Sequence, residues 1–278
     1  MTGSELLLVA TATLLIGSAD FFGGIASRKS APLAIASWSQ AAGVPVVLVV
    51  ALVVGGSLGW SDLGLGVVAG LGSALGVGVM YRGFSIAAVG VVAPIASATA
   101  AVVPIAIGLA SGERPSALVL AGVVLAVVAI MLVGYMPSDG DVDRRGVGYG
   151  VVAGIGFGAM VIAYAATSPD SGVWSVVVGR SVAAAAAGVA VVVTGVRWAV
   201  DPSVRIATVL AGVLAAVGMA AFVTASQSAD LVVLGVALGL FPTVTAILAA
   251  VVLRERLRAT QWSGIATAAI AIAMISVG

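Results

Sequence analysis

The chain contains no cysteine and no histidine. Disulfides, thiolate nucleophiles, thiolate metal sites, histidine-ligated haem and histidine general bases are therefore excluded. It has one lysine, Lys29, at the end of a predicted span, which excludes a retinal-type Schiff base in mid-membrane. Charge is scarce as well: 8% of 278 residues, against roughly a quarter in an ordinary globular sequence. So little charge cannot cover a water-facing surface of this size. With 62% hydrophobic residues and a mean hydropathy of +1.26, the outer surface is expected to face lipid. A net charge of +1 gives no reason to expect a nucleic-acid partner. Met1 to Glu5 has no basic run before the first apolar stretch, which argues against a cleaved signal peptide.

A helix needs roughly 20 apolar residues to cross a hydrocarbon core of about 30 Å. Ten such runs can be read: 6–27, 32–55, 63–81, 88–110, 116–135, 146–166, 173–194, 206–226, 231–253 and 259–277. The expected fold is all-α and integral to the membrane, with short connections. The most polar stretch, Pro137 to Arg145 (PSDGDVDRR), lies at the middle and reads as a linker. It divides the chain into a repeat over 1–136, the linker 137–145 and a repeat over 146–278.

The halves match each other. A slide of 142 residues lays Ala69-Gly70 on Ala211-Gly212, Gly76 on Gly218, Glu113-Arg114 on Glu255-Arg256 and Gly122 on Gly264. Acidic residues are few enough for the Glu-Arg match to carry weight. A slide nearer 140 lays Gln40 on Arg180. Five spans per repeat is an odd number, so the second repeat must enter the membrane from the opposite face. Inverted repeats are a recurring plan of secondary transporters, with the binding site near the midplane. Gly146, Gly150, Gly154 and Gly158 recur every four residues along one face of the sixth span, and the pairs Gly66 and Gly70, and Gly72 and Gly76, have the same spacing in the third. That spacing lets helix backbones approach closely.

Other motifs fail on context. Val147-Gly148-Tyr149-Gly150 is like part of a potassium-channel filter but follows Asp143-Arg144-Arg145 and opens a full span, so it reads as a helix start. Intramembrane serine proteolysis lacks a histidine, and a paired-aspartate protease would need a second aspartate beside Asp20. An enzyme is the reading the residues support least, and no cofactor is expected.

Each half resembles one EamA domain of the drug/metabolite transporter superfamily. Gly17-Ser18-Ala19-Asp20-Phe21 is similar to the family's Trp-Gly-Ser-Asn-Phe pattern, without the Trp. Gly112-Glu113-Arg114-Pro115-Ser116 is close to its Gly-Glu-Arg-Leu-Thr, and Leu253-Arg254-Glu255-Arg256-Leu257 stands at the matching place in the second half. Pro242 lies thirteen residues before Glu255, where the family often has proline. The resemblance implies ten spans, a central cavity open to one side at a time, and transport of amino acids, metabolites, nucleotide sugars or drugs. Its motifs are structural, so it speaks to fold rather than to substrate.

An ionisable side chain inside a span costs a few kcal/mol or more. Take the N-terminal side as face A and the other as face B. Asp20 and Gln40 lie about 8 residues, roughly 12 Å, from face B, and Arg180 about 7 residues, roughly 10 Å, from face A. These three are the leading candidates to line a central cavity: Asp20 for a cationic group or a proton, Arg180 for a carboxylate or phosphate. The competing reading is a structural network in which Arg180 pairs with Asp20 or snorkels toward face A. Trp38, Tyr81, Tyr164, Trp174 and Gln227 are secondary candidates, since aromatics near span ends more often form the interfacial belt. Glu113 and Glu255 sit at helix ends and are expected to pair with neighbouring arginines or favour the start of the next helix.

Face B collects Arg28, Lys29, Arg82, Arg144, Arg145, Arg197, Arg205, Arg254, Arg256 and Arg258, and face A only Arg114. The positive-inside rule then makes face B cytoplasmic and both termini external, whereas the family usually has both termini inside. The expected function is a secondary transporter of the plasma (inner) membrane, acting as monomer or homodimer and exporting a small organic solute. It would be driven by a gradient, since no nucleotide-binding loop is present. The alternatives are a lipid-carrier flippase of the same fold and a non-transporting structural protein.

Overall fold

A backbone N–H or C=O in hydrocarbon has no water to bond, so a spanning segment must satisfy its own ladder. The runs of Ala, Val, Leu, Ile and Gly do this as helices. The computed structural model describes residues 3–84, 89–134, 144–228, 230–253 and 258–277. The helices are α1 Gly3–Ser27, α2 Pro32–Val54, α3 Trp60–Phe84, α4 Val89–Ala110, α5 Ala117–Gly134, α6 Arg144–Ala165, α7 Trp174–Thr194, α8 Arg205–Ser226, α9 Leu231–Gly239, α10 Phe241–Val252 and α11 Ala259–Val277. Single 3-10 turns, Pro169–Ser171 and Pro202–Val204, precede α7 and α8. Six helices, α1–α3 and α6–α8, are each long and apolar enough to cross a membrane, and α4, α5, α10 and α11 carry shorter apolar stretches. The chain is a multi-pass membrane protein. Most of the central linker lies outside the described residues.

The helix ends follow from local chemistry. Pro32 opens α2, where its missing N–H would have had no partner anyway. Gly195 ends α7 in the left-handed region (φ 65°), where its N–H bonds the Val192 carbonyl at 3.3 Å. The run predicted as one span over 231–253 is two helices. At Leu240 the ladder slips: Thr243 N–H bonds the Leu240 carbonyl at 3.0 Å, an i to i−3 bond. Gly239 and Pro242 flank the slip, and Pro242 has no N–H to donate. The counterpart helix α4 stays continuous through Pro104, so proline alone does not cause the break.

Close contacts fix the helix directions. A Cβ on Gly72 would lie 2.7 Å from the Gly156 carbonyl, and one on Gly83 would lie 2.8 Å from Tyr149 Cβ, so α3 and α6 are antiparallel. Gly66 and Gly70 meet Val178 and Val182 in turn, so α3 and α7 are parallel. Short loops reverse the chain between α1, α2 and α3, so α3 runs with α1. Its antiparallel neighbour α6 therefore runs against α1, the helix it corresponds to.

The contacts themselves repeat. A Cβ on Gly76 would lie 2.7 Å from the Phe157 ring, and residues 142 and 141 away, one on Gly218 would lie 2.9 Å from Ile16. A Cβ on Gly158 would lie 2.7 Å from Val103, and 141 residues away in each helix, one on Gly17 would lie 2.6 Å from Val244. Gly70 abuts the Gly179 carbonyl, and Gly212 abuts the Ser39 carbonyl. The duplication read in the sequence is thus an inverted repeat of contacts. The four-residue glycine stripe of α6 has a defined partner too: Gly150, Gly154 and Gly158 seat Ile95, Thr99 and Val103 of α4.

Two large apolar cores form, beside a small cluster of Ala26, Ile35 and Val204. The larger joins α1, α2, α6, α7 and α8 around Val47, Val161, Tyr164, Val176 and Phe222. The second joins α4, α5, α9 and α11 around Ile105, Ile130, Val232 and Ala271. Leu52, Val53, Val189, Val193 and Ile206 stay outside, as a lipid-facing surface requires.

Glu113 links the repeats. Its carboxylate accepts Leu231 N–H at 2.8 Å and Val232 N–H at 3.1 Å, capping the first turn of α9. Gly108 leaves room for it, since a Cβ there would lie 2.5 Å from Glu113 Oε2. The expected structural role holds, but the partner is a helix of the other repeat rather than an arginine or the next helix. An anion on a helix N-terminus meets the positive end of the dipole. Glu113→Ala is expected to lower stability by about 1–2 kcal/mol, measured by thermal unfolding in detergent. A loss no greater than that of Arg114→Ala would show that the cap contributes nothing. Glu255, its counterpart, lies outside the described residues.

Candidate functional site

Arg180 is the buried charge of the bundle interior, with only 7% of its surface accessible. On α7 it lies about half a helical turn from the lipid-facing Val189, Val192 and Val193. Its Nη2 donates to the Gly212 carbonyl of α8 at 3.2 Å. The guanidinium lies against Gly43 of α2, where an added Cβ would sit 2.5 Å from Nε. Two glycines therefore make the slot: Gly43 by its missing side chain, Gly212 by its carbonyl. Tyr164, also buried, is the one titratable group among the described residues near enough to act on Arg180 electrostatically. Neither Arg180 nor Asp20 has the other as an electrostatic neighbour, so the Asp20–Arg180 pair of the competing structural reading is not seen among the described residues. Arg180 Nε finds no partner among the described residues.

Gln40 lies three residues before Gly43 on α2, on the same inward side. Its Nε2 makes a long contact of 3.5 Å to Ser73 Oγ of α3, while its Oε1 is buried with no partner among the described residues. It borders a cleft of about 40 Å³ between α2, α3 and α7, otherwise walled by small and apolar side chains such as Ala74, Val77, Ala183 and Ala187. An unpaired donor and an unpaired acceptor thus lie along one α2–α7 interface. Each orphaned group costs on the order of 1–3 kcal/mol until it is satisfied.

Asp20 occupies a different wall. On α1, Ala12, Ile16, Ala19 and Gly23 face α8, where a Cβ on Gly218 would lie 2.9 Å from Ile16 and one on Gly23 3.9 Å from Ala211. Gly17 faces α10, and Leu7, Thr11, Leu14 and Ser18 point outward. At about 100° per residue, Asp20 falls between the α8 side and the α10 side, opposite the outer stripe. Its side chain keeps open surface there. Three residues away, Thr245 Oγ1 of α10 donates to the Gly17 carbonyl at 2.9 Å, tying α1 to the helix that begins after the break.

The secondary candidates divide. Tyr164 belongs to the Arg180 site; its hydroxyl rests against Gly179. Gln227 ends α8 with a buried Nε2 that has no partner among the described residues. Trp174, at the start of α7, packs on the larger core. Trp38 is half-exposed, and its Nε1–H donates to the Trp198 carbonyl at 3.0 Å. The side chains of Tyr81 and Pro242 lie outside the described residues. Sequence reading passed over Asp62. It is buried at the first turn of α3, and its Oδ1 accepts Ser168 N–H at 2.7 Å, closing the face-A end of the bundle. Ser73 was missed too, because a lone serine in an apolar helix carries no signal until Gln40 is placed beside it.

The comparisons with known proteins agree with this architecture. No curated protein matches the chain. A solved structure, titled only "Crystal structure of protein", superposes with a TM-score of 0.83 at 15% identity. The match covers 100% of this chain and 98% of that one, and at this identity it establishes the fold alone. The EamA-like transporter family matches twice, over residues 3–135 and 144–277, the two repeats that the paired contacts relate. The chain belongs to the EamA-like transporter family.

Proposed function

We propose that the chain is a ten-span secondary transporter, α9 and α10 together forming the ninth span, that exports a small organic solute bearing a carboxylate or phosphate. The observation that carries this reading is Arg180: a guanidinium in the bundle interior with, among the described residues, no acid against it and no partner for its Nε. A buried charge without a protein counter-ion is expensive and marks a place where an anionic partner comes and goes. Gln40 Oε1 and Nε2 add an acceptor and a donor at the same interface. The cleft beside Gln40, at about 40 Å³, holds only a few waters, so the helices must part to admit a solute. Inverted repeats supply two such arrangements, and gradient-driven alternation between them is the mechanism we favour. The excess of basic residues on face B supports assigning that face to the cytoplasm, in a plasma (inner) membrane.

The test is thermal unfolding of the purified protein with a panel of amino acids, organic acids, phosphate esters and cationic drugs. Anionic members are expected to stabilise it. Stabilisation by cations alone would move binding to Asp20 and sink the anion reading; no stabilisation by any member would sink the site. In cells, Thr2→Cys provides the only thiol and is expected to react with an impermeant maleimide from outside. Protection there would reverse the assigned orientation.

A further inference from the structure

The inverted repeat has two equivalent corners, one on each face. On face A the α2–α3 loop meets the α6–α7 loop, and on face B the α7–α8 loop meets the α1–α2 loop. The face-A corner is closed backbone to backbone. Ser57 N–H bonds the Asp170 carbonyl at 2.8 Å. An added Cβ on Gly56 would lie 2.8 Å from that carbonyl, and one on Gly172 would lie 2.9 Å from the Gly55 carbonyl. The charged groups there are Asp62 and Asp170, and no cation lies in either loop.

The face-B corner is built from the same elements but left open. Its loops meet through side chains: Lys29 Nζ donates to Ser203 Oγ at 3.2 Å, and Asp201 N–H donates to Ser30 Oγ at 2.9 Å. Between them is a groove of about 400 Å³ lined by Lys29, Ser30, Arg197, Asp201 and Arg205. A shift of 141 residues lays Lys29 on Asp170, and a shift of 142 lays Gly55 on Arg197, so cations stand where the closed corner has an acid and a glycine. Asp201 does not neutralise them. It is occupied with Ser203, accepting its N–H at 2.8 Å and its hydroxyl at 2.6 Å. Those bonds, followed by Lys29 and Arg205, hold its carboxyl below the ordinary range. Three cations against one carboxylate leave the groove positive. The positive-inside rule accounts for the sign of this charge. It does not account for the space, because the face-A corner shows that these elements can close.

The depth of the groove is set by tryptophan. Trp198, on the loop that lines it, and Trp38, bonded to the Trp198 carbonyl, are both exposed. Exposed indoles of a membrane protein sit at headgroup level. We propose that this groove binds the phosphate of an anionic phospholipid headgroup from the face-B leaflet, with Lys29, Arg197 and Arg205 as its ligands. Basic pockets between spans at that level suit such headgroups. The site stands apart from Arg180 and does not depend on the transported solute.

The experiment compares thermal unfolding of the detergent-solubilised protein with added phosphatidylglycerol, phosphatidylcholine or soluble glycerol phosphate. Phosphatidylglycerol is expected to raise Tm above phosphatidylcholine by on the order of 5 °C near saturation. Two variants isolate the groove: Lys29→Gln/Arg205→Gln removes charge, and Ala199→Phe fills the space with the charge intact. Loss of the lipid preference in both, with Arg114→Gln unaffected, supports the site. An equal rise with soluble glycerol phosphate supports the phosphate site but assigns it to a free ligand. No preference between the lipids, or a preference kept in both variants, overturns the proposal.

Discussion

Arg180→Gln is expected to remove ligand-induced stabilisation and to reduce transport about 10- to 100-fold, while leaving the empty protein at least as stable as the parent. The two halves of that outcome come from one fact. A charge-assisted hydrogen bond contributes about 1.5–3 kcal/mol, and about 1.4 kcal/mol is a factor of ten. Losing one such bond to an anionic solute therefore removes one to two orders of magnitude in affinity. In the empty protein the sign is the reverse. The guanidinium is buried and gives a bond to the Gly212 carbonyl, and no carboxylate among the described residues offsets its desolvation. Neutralising it relieves that penalty. If Arg180 were a structural tie, Arg180→Gln would instead lower stability by several kcal/mol, as breaking a buried pair does. Arg180→Lys separates charge from shape, since an ammonium keeps the charge but loses the planar fork that reaches Gly212 and a solute together. It should retain weak binding. Gly43→Ala gives a second route: its Cβ pushes on the far end of the arginine, 2.5 Å from Nε, not on backbone. Binding should fall there with little loss of stability.

How much of this was legible beforehand depended on the range of the interaction. Apolar runs are local, so most of the helices were readable to within a few residues; α2 was expected over 32–55 and runs Pro32–Val54. The duplication was readable because both copies keep glycine where backbones touch. Gly70 and Gly212 matched in the sequence before the structure showed each abutting a carbonyl of the other repeat. What a residue touches across the bundle was not readable. Glu113 was expected to serve its own neighbourhood, yet it reaches the amides of Leu231 and Val232, more than a hundred residues on. The break at Leu240 was hidden for a related reason. Pro104 sits inside an intact α4, and nothing local says why Gly239 and Pro242 end a helix when Pro104 does not. Asp20, Gln40 and Arg180 were found because polarity in lipid is costly. Which wall each occupies needed the neighbours.

The largest loss of folded protein is expected from Gly70→Val and Gly212→Val, and the two should be destabilised alike. Over-packing a close-packed contact costs about 1–3 kcal/mol when side chains can give way, and more when they cannot. Here they cannot. A Cβ on Gly70 would stand 2.5 Å from the Gly179 carbonyl and 2.7 Å from Val182 Cβ, and one on Gly212 would strike the Ser39 carbonyl. Each obstacle is a backbone atom of a neighbouring helix or a Cβ fixed directly to it, so relief requires α3 to leave α7 or α8 to leave α2. These contacts also hold the Arg180 slot, because Gly179 precedes Arg180 and Gly212 supplies its acceptor. Gly64→Ala and Gly78→Ala are the controls, with nothing within 4 Å of the added carbon and better helix propensity. The measurement is the yield of monodisperse protein and its unfolding midpoint in detergent. If Gly212→Val tolerated heating as well as Gly78→Ala, the close α2–α8 approach would be wrong. If Gly70→Val and Gly212→Val differed widely, the two interfaces would not be the equivalent halves of one inverted design. Alternation between two conformations requires that equivalence, since each interface must take the other's place when the cavity changes sides.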